Sequence, residues 1–494
     1  MDTIVLALPL APLLAAVLIA VAGWNRVTAW AAPLASLAVV AAGVALATRV
    51  VDKGPVIALD GQLRVDAVSA LMIILIGGVA AVTSTYGVAF VGTELRTDAT
   101  TPERARLYGV LVAVTIAAMT VVVCADNLGL MWVAIETTTV ATVLLVGHRR
   151  DRASLEASWK YLVLGSVGVS TALLGTVLVY FVARRGGIDA SSALDWSALA
   201  EHSSALDPDA MRVAVGLIIV GYGTKAGLAP LHSWLPDAYS QAPAPVAGLM
   251  SGALSMMSMY ALLRFKVIAD LTLGPDYVRN LLLVAALGSL VVAASLMITQ
   301  RDYRRLLAYS SVEHMGLIAL AAAVGSPLAM SAVLLHMIGN GFAKSVTFSV
   351  TGEIRFLTGA TLIGDVRGLL RRDPFIGTIF TLGLVALVGL PPFSILASEV
   401  AIVRAGIDDG FGWAIAIALA VMMVIFTSIA IHAFDMLLGE TTDDHDTGGI
   451  TRAHVTPMTG RIALSGGLLV AAVIGLTIRP IEQLLSAAAE ILAR

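Results

Sequence analysis

The chain's use of lysine gives the first chemical clue. Of 31 basic side chains only five are lysines, and three of these, Lys160, Lys225 and Lys344, lie in or at the edge of long apolar runs. Arginine keeps its proton almost anywhere, whereas a desolvated lysine can release one near neutral pH. An arginine-rich chain that keeps lysine at such depth has use for a side chain that loads and unloads. Glu136 lies near the middle of another apolar run, and a carboxylate there is costly unless paired or facing water. Lys225 is its natural partner: pairing and burial push their proton affinities in opposite senses, so separating them changes whether Lys225 stays charged. His336, Asn340 and Lys344 recur at i, i+4 and i+8, near one helix face and about 12 Å end to end. Groups so spaced can order water and hand on a proton.

Further candidates surround these. Glu399 follows a Gly-Leu-Pro-Pro interruption at 389–392, and His232 sits beside another interruption, where it either bridges two halves or is simply hydrogen-bonded. Glu313 and His314 are adjacent and so turn to different helix faces, for relay or for structure. Lys160 either relays protons or snorkels to the interface. His432 reads as an ordinary hydrogen-bonded histidine, and Asp443, Asp444, His445 and Asp446 as a solvated loop. For every buried charge the rival reading is structural: an ion pair or polar glue between helices.

The elements that must position these groups are membrane spans. The 494 residues are 58% hydrophobic and 13% charged, against about 25% charged in soluble domains. A net charge of −3 gives nucleic acid no electrostatic hold. One cysteine, Cys124, cannot hold an iron–sulfur cluster or an internal disulfide. No HExxH, Walker loop or CxxC occurs, so no cofactor or metal is expected and catalytic redox chemistry must reside elsewhere. The pattern predicts an all-α polytopic membrane protein of about fourteen transmembrane helices. Apolar runs fall near 3–23, 27–50, 67–92, 107–124, 127–147, 158–183 and 211–229, then 243–267, 280–299, 306–324, 328–350, 375–404, 412–438 and 461–478. With no basic stretch ahead of it, the first run is expected to remain a span.

Two helices should be broken: the seventh, by Gly221, Gly223, Gly227, Pro230 and Pro236, and the twelfth, by Gly389, Pro391 and Pro392. Such backbone survives at membrane depth only inside protein or beside water. The breaks lie five spans apart, an odd offset that reverses direction, as in two inverted five-helix repeats. The resulting division is an N-terminal three-helix segment (1–106), a first repeat (107–269), a second (270–440), and an acidic loop with a C-terminal span (441–494). Loops on one side hold sixteen Lys and Arg against twelve on the other, which predicts both termini outside a cytoplasmic (inner) membrane.

Several stretches resemble the antiporter-like subunits shared by respiratory complex I, Mrp-type cation/proton antiporters and membrane-bound hydrogenases. They are the Glu136 region, Lys225-Ala-Gly-Leu-Ala-Pro-Leu-His-Ser-Trp-Leu-Pro-Asp-Ala, Ala242-Pro-Ala-Pro-Val, Arg304-Arg-Leu-Leu-Ala-Tyr-Ser-Ser, and His336 through Lys344. Ser310-Ser-Val-Glu-His-Met-Gly and Glu136-Thr-Thr-Thr look most like hydrogenase-4 component F and related hydrogenlyase subunits. The resemblance implies a central hydrated proton axis, with Glu136 and Lys225 as a switching pair, Lys344 as central relay and Glu399 as the way out. Asn340 and Ser251 depart from it, standing where many relatives have protonatable residues; neither takes up a proton at neutral pH.

The expected function is one proton-translocating subunit of a redox-driven membrane complex, partnered by other membrane and peripheral subunits in the bilayer. The alternatives are an Mrp-type Na⁺/H⁺ antiporter subunit, a membrane partner in inorganic-carbon uptake, and a scaffold whose charges only brace packing.

Overall fold

The computed structural model describes residues 2–440 and 455–493; the acidic run at 443–446 lies outside them. The helices are α1 (Asp2–Ala22), α2 (Ala31–Lys53), α3 (Ala67–Arg96), α4 (Pro102–Cys124), α5 (Leu128–Val146), α6 (Arg152–Arg185) and the short α7 (Trp196–Glu201). They continue as α8 (Pro208–Ala226), α9 (Trp234–Gln241), α10 (Ala244–Leu249), α11 (Ser255–Leu273), α12 (Pro275–Met297), α13 (Tyr303–Val324) and α14 (Pro327–Thr358). The rest are α15 (Leu369–Arg372), α16 (Pro374–Leu387), α17 (Ser394–Asp408), α18 (Gly412–Leu438), α19 (Met458–Leu476) and α20 (Glu482–Leu492). A two-stranded hairpin, β1 (Val56–Ala58) with β2 (Leu63–Val65), links α2 to α3.

This is a polytopic membrane protein. Helices cover all the apolar runs, and eleven of those described are long and apolar enough to cross a bilayer, with α10 to α11 counted as one. The count of about fourteen rests on three more runs. They are occupied by α8, by α14 with its His336, Asn340 and Lys344, and by the broken pair α16 and α17. Helix ends follow local chemistry. Pro102, Pro208, Pro275, Pro327 and Pro374 open helices at positions that need no amide hydrogen. The Asp66, Asn127, Asp151 and Asp302 side chains accept from first-turn amides of α3, α5, α6 and α13.

Both breaks are present. Helix α8 stops at Gly227, whose φ of 92° suits glycine, and resumes as α9; α16 ends before Gly389 (φ 67°) and resumes as α17. The break frees carbonyls that membrane depth cannot hydrate, and Trp234 Nε1 donates to Thr224 O at 2.9 Å.

Burial sorts the spans. Apolar windows of the α10–α11 span and of α13 are 100% buried, whereas those of α1, α18 and α19 are 33% buried. The middle is tightest where Gly252 faces Gly341: a Cβ on either would meet the other's carbonyl oxygen at 2.6 or 2.8 Å. Residues 250–254 widen there into a π-helical turn that contains Ser251. Near one end, Arg264 grips Asp66 with two 2.7 Å bonds, tying α11 to α3. Burial alone would raise the Asp66 carboxyl, but Arg264 outweighs it and holds the group below the usual carboxylate range.

Candidate functional site

Lys225 ends α8, 1% exposed, and its Nζ donates to Tyr161 OH at 2.7 Å. Thr142 Oγ1 already donates to Thr138 O (2.6 Å), so the 2.9 Å contact between Tyr161 OH and Thr142 Oγ1 has the phenol donating. The donor order is fixed: Lys225 to Tyr161 to Thr142 to the α5 backbone. This corrects the expected direct pair. No ion pair joins Glu136 and Lys225 among the described residues; Tyr161 occupies the lysine, and Glu136 Oε2 is buried without a hydrogen bond. The Glu136 charge still acts on Lys225 through space.

Lys344, fully buried on α14, donates to Leu307 O of α13 at 2.9 Å. Glu313, 6% exposed, lies close enough for its charge and that of Lys344 to interact. Its neighbour His314 points elsewhere, as adjacency requires: His314 Nδ1 is 3.0 Å from His336 Nε2, and His336 Nδ1 is 2.9 Å from Ser398 Oγ. Ser398 spends its hydrogen on Ile395 O (2.7 Å). His336 Nδ1–H must therefore donate to Ser398, and its bare Nε2 accepts from His314 Nδ1–H. In these neutral rings His314 Nε2 is left unprotonated, buried and without a partner. Residue 399, next along α17, is Glu399, which shares with Glu313 a cavity of about 250 Å³ lined also by Val388 and apolar side chains of α18.

Between the lysines runs a row of aromatic rings. Lys225 Nζ lies 4.5 Å from the Tyr161 centroid, and Tyr161 stacks on Trp234 at 4.6 Å. Trp234 meets Tyr239 edge-on at 6.0 Å, Tyr239 meets Phe348 edge-on at 5.7 Å, and Lys344 Nζ lies 5.9 Å from the Phe348 centroid. Tyr239 OH is 2.6 Å from Ser255 Oγ. Asn340 has neither amide atom hydrogen-bonded although fully buried, and Ser251 Oγ turns back to Ala247 O.

Two candidates stand apart. Lys160 is two turns into α6, on its outer face with 48% of the side chain exposed, and is paired with Glu156 (2.7 Å) and Asp237 (3.0 Å). The buried path does not include it. His232, half-buried between α8 and α9, has an unpartnered Nδ1 and touches neither lysine's hydrogen bonds. His432 Nε2 donates to Met297 O at 3.3 Å, the ordinary role expected. Sequence spacing missed Tyr161, Tyr239, Phe348 and Ser398; the one available signal was the run of hydroxyls Thr137 to Thr142 opposite a lysine.

Residues 125–427, which hold nearly all of this arrangement, match the family described as NADH:quinone oxidoreductase/Mrp antiporter, TM. The chain belongs to that family. A hydrogenase-4 component F homolog of Methylacidiphilum infernorum is 38% identical over 335 residues, 68% of this chain and 70% of its own length. NADH-quinone oxidoreductase subunit N of Salinispora arenicola is 30% identical over 451 residues, 88% and 85% of the two chains. Among solved structures, a chain of the archaeal membrane-bound sulfane sulfur reductase superposes with a TM-score of 0.84 at 25% identity, covering 100% of this chain and 98% of that one. A chain of the Mrp complex from Dietzia sp. gives 0.86 at 21%, covering 100% and 97%, a likeness of fold. The NADH:quinone oxidoreductase/Mrp-type chain is thus an antiporter-like subunit, of a family whose members work inside multi-subunit membrane complexes.

Proposed function

We propose that the protein carries protons across the cytoplasmic membrane as one subunit of a redox-driven complex of the hydrogenase-4 or complex I kind. The observation that carries this reading is the pairing of two buried lysines with neutral oxygens, Tyr161 OH and Leu307 O. Among the described residues neither ammonium has a carboxylate at contact distance to hold it charged, and a row of aromatic rings lies between them. A charge change at Glu136 alters the field at Lys225; the proton released there passes by water between the halves to Lys344, the aromatic rings serving as walls, then to Glu313 and out through the Glu399 cavity. The unpartnered Asn340 amide has room in its bonding for water between the halves. Electron chemistry is left to partner subunits. The two repeats correspond to α4–α11 and α12–α18, and the basic side of the loops puts both termini outside.

The exit favours H⁺ over Na⁺. Apart from Glu313 and Glu399 the cavity is lined by valine, leucine, isoleucine, methionine and phenylalanine. A dehydrating alkali cation needs a shell of oxygens, whereas a proton needs one acceptor. In inverted vesicles holding the intact complex, turnover should acidify the interior equally with and without Na⁺. Lys344→Ala should remove this subunit's share while the complex keeps its size. Sodium uptake that follows turnover, or full pumping by Lys344→Ala, overturns the proposal.

A further inference from the structure

On the outer face of α4, α5 and α6, away from the buried path, lies a cavity of about 390 Å³. Its apolar lining includes Leu111, Val143 and the exposed Leu107 and Leu144, and Trp159 stands at its side, 65% exposed. Its mouth carries Arg104 and Arg150. Among the described residues neither arginine has an ion-pair partner. Of the nearby acids, Asp151 accepts from Ser154 N at 2.7 Å, Glu103 bonds to Thr101, and the buried Glu94 faces His148 with Oε2 3.8 Å from its Nε2. Arg150 owes its position to a left-handed turn (φ 59°) between α5 and α6, which brings it to the rim.

We infer that this trough binds an anionic glycerophospholipid. Its phosphate lies between Arg104 and Arg150, and one acyl chain follows Leu107, Leu111 and Leu144 into the trough. The argument is complementarity at both ends. Apolar walls open to the hydrocarbon give a chain no reason to leave, and two guanidiniums without counter-ions at headgroup level supply what a phosphate needs. An indole beside them suits the interfacial zone. The lipid would seat against α5 and α6, the helices that carry Glu136 and Tyr161, and so would be part of their packing rather than loose solvent.

The test is lipid retained by the intact complex purified in mild detergent, quantified by headgroup class. At about 1 kcal/mol per basic residue, Arg104→Gln with Arg150→Gln should lower bound anionic lipid by about 25-fold, and either alone by about fivefold. Zwitterionic lipid should not change. Leu144→Trp, which fills the trough and leaves both arginines, should also expel the lipid, and size-exclusion of each complex separates lost binding from lost folding. Unchanged anionic lipid in the double variant of intact size overturns the inference. So does displacement by millimolar inorganic phosphate, which would mark a free-anion site, or cross-links from Leu107 to a neighbouring subunit with no lipid retained.

Discussion

The two halves of the path hold their lysines differently. In the first half the lysine heads a donor chain, Lys225 to Tyr161 to Thr142 to Thr138 O, which ends on α5 two residues from Glu136. In the second half the lysine stands outside the chain. Lys344 spends its contact on Leu307 O, and the ordered bonds run instead from His314 through His336 to Ser398, beside Glu399. Each chain ends on a backbone carbonyl near a carboxylate. The first chain runs through a single phenol, whereas the second runs through two neutral imidazoles, each able to donate at one ring nitrogen and accept at the other. On the proposed function, the first half works as a gate that a field must open and the second as a relay leading to an exit.

The largest effect that can break this comparison is exchange of the lysines for arginine. Arginine keeps the positive charge but does not release its proton. If both lysines load and unload, Lys225→Arg and Lys344→Arg should each lose pumping by about 10²-fold or more, close to their alanine variants, with assembly intact. Dye-monitored acidification in inverted vesicles reads the result. Wild-type rates in either arginine variant would reduce that lysine to a fixed charge and remove the gate.

Much of this fold could be read from the sequence because lipid leaves the backbone few options. Run length gave the helices, and glycine with proline marked both breaks. Side-chain partners were harder. Tyr161 follows Lys160, and the lysine drew attention while the phenol hid in an apolar helix. Consecutive residues point about 100° apart around a helix, so on α6 Lys160 faces outward while Tyr161 faces inward. Glu136 and Lys225 looked like a pair because opposite charges at depth invite one. That Lys225 instead donates to the neutral Tyr161 hydroxyl is a tertiary fact that no spacing within a helix records. The same holds for His314 and His336, 22 residues apart on different helices.

A smaller effect sharpens the difference between the halves. Tyr161→Phe keeps the ring stacked on Trp234 and removes only the hydroxyl that accepts from Lys225. It should slow pumping by about tenfold at every pH tested, because the donor chain is cut whatever the bulk proton activity. His336→Gln keeps one donor and one acceptor but cannot become a cation. It should cost less at low pH, where Glu313 and Glu399 can be loaded directly from the cavity. Matching pH profiles for the two variants would mean the halves work alike.

The smallest effect concerns Ser398, whose hydroxyl is the hydrogen-bond partner of His336 Nδ1. In Ser398→Ala the ring can turn, and either nitrogen can face His314. The charge pattern does not change, so binding and assembly should hold, and the loss should be about threefold, the scale of one neutral hydrogen bond. Ser398→Thr, which restores an oxygen at the same Cβ, should recover the rate. Loss without recovery would mean that α17 needs a small side chain against Gly339, where the neighbouring Ser394 and Ile395 already pack closely. In that case the histidine chain would be packing, and the proton would reach Glu399 through Glu313 alone.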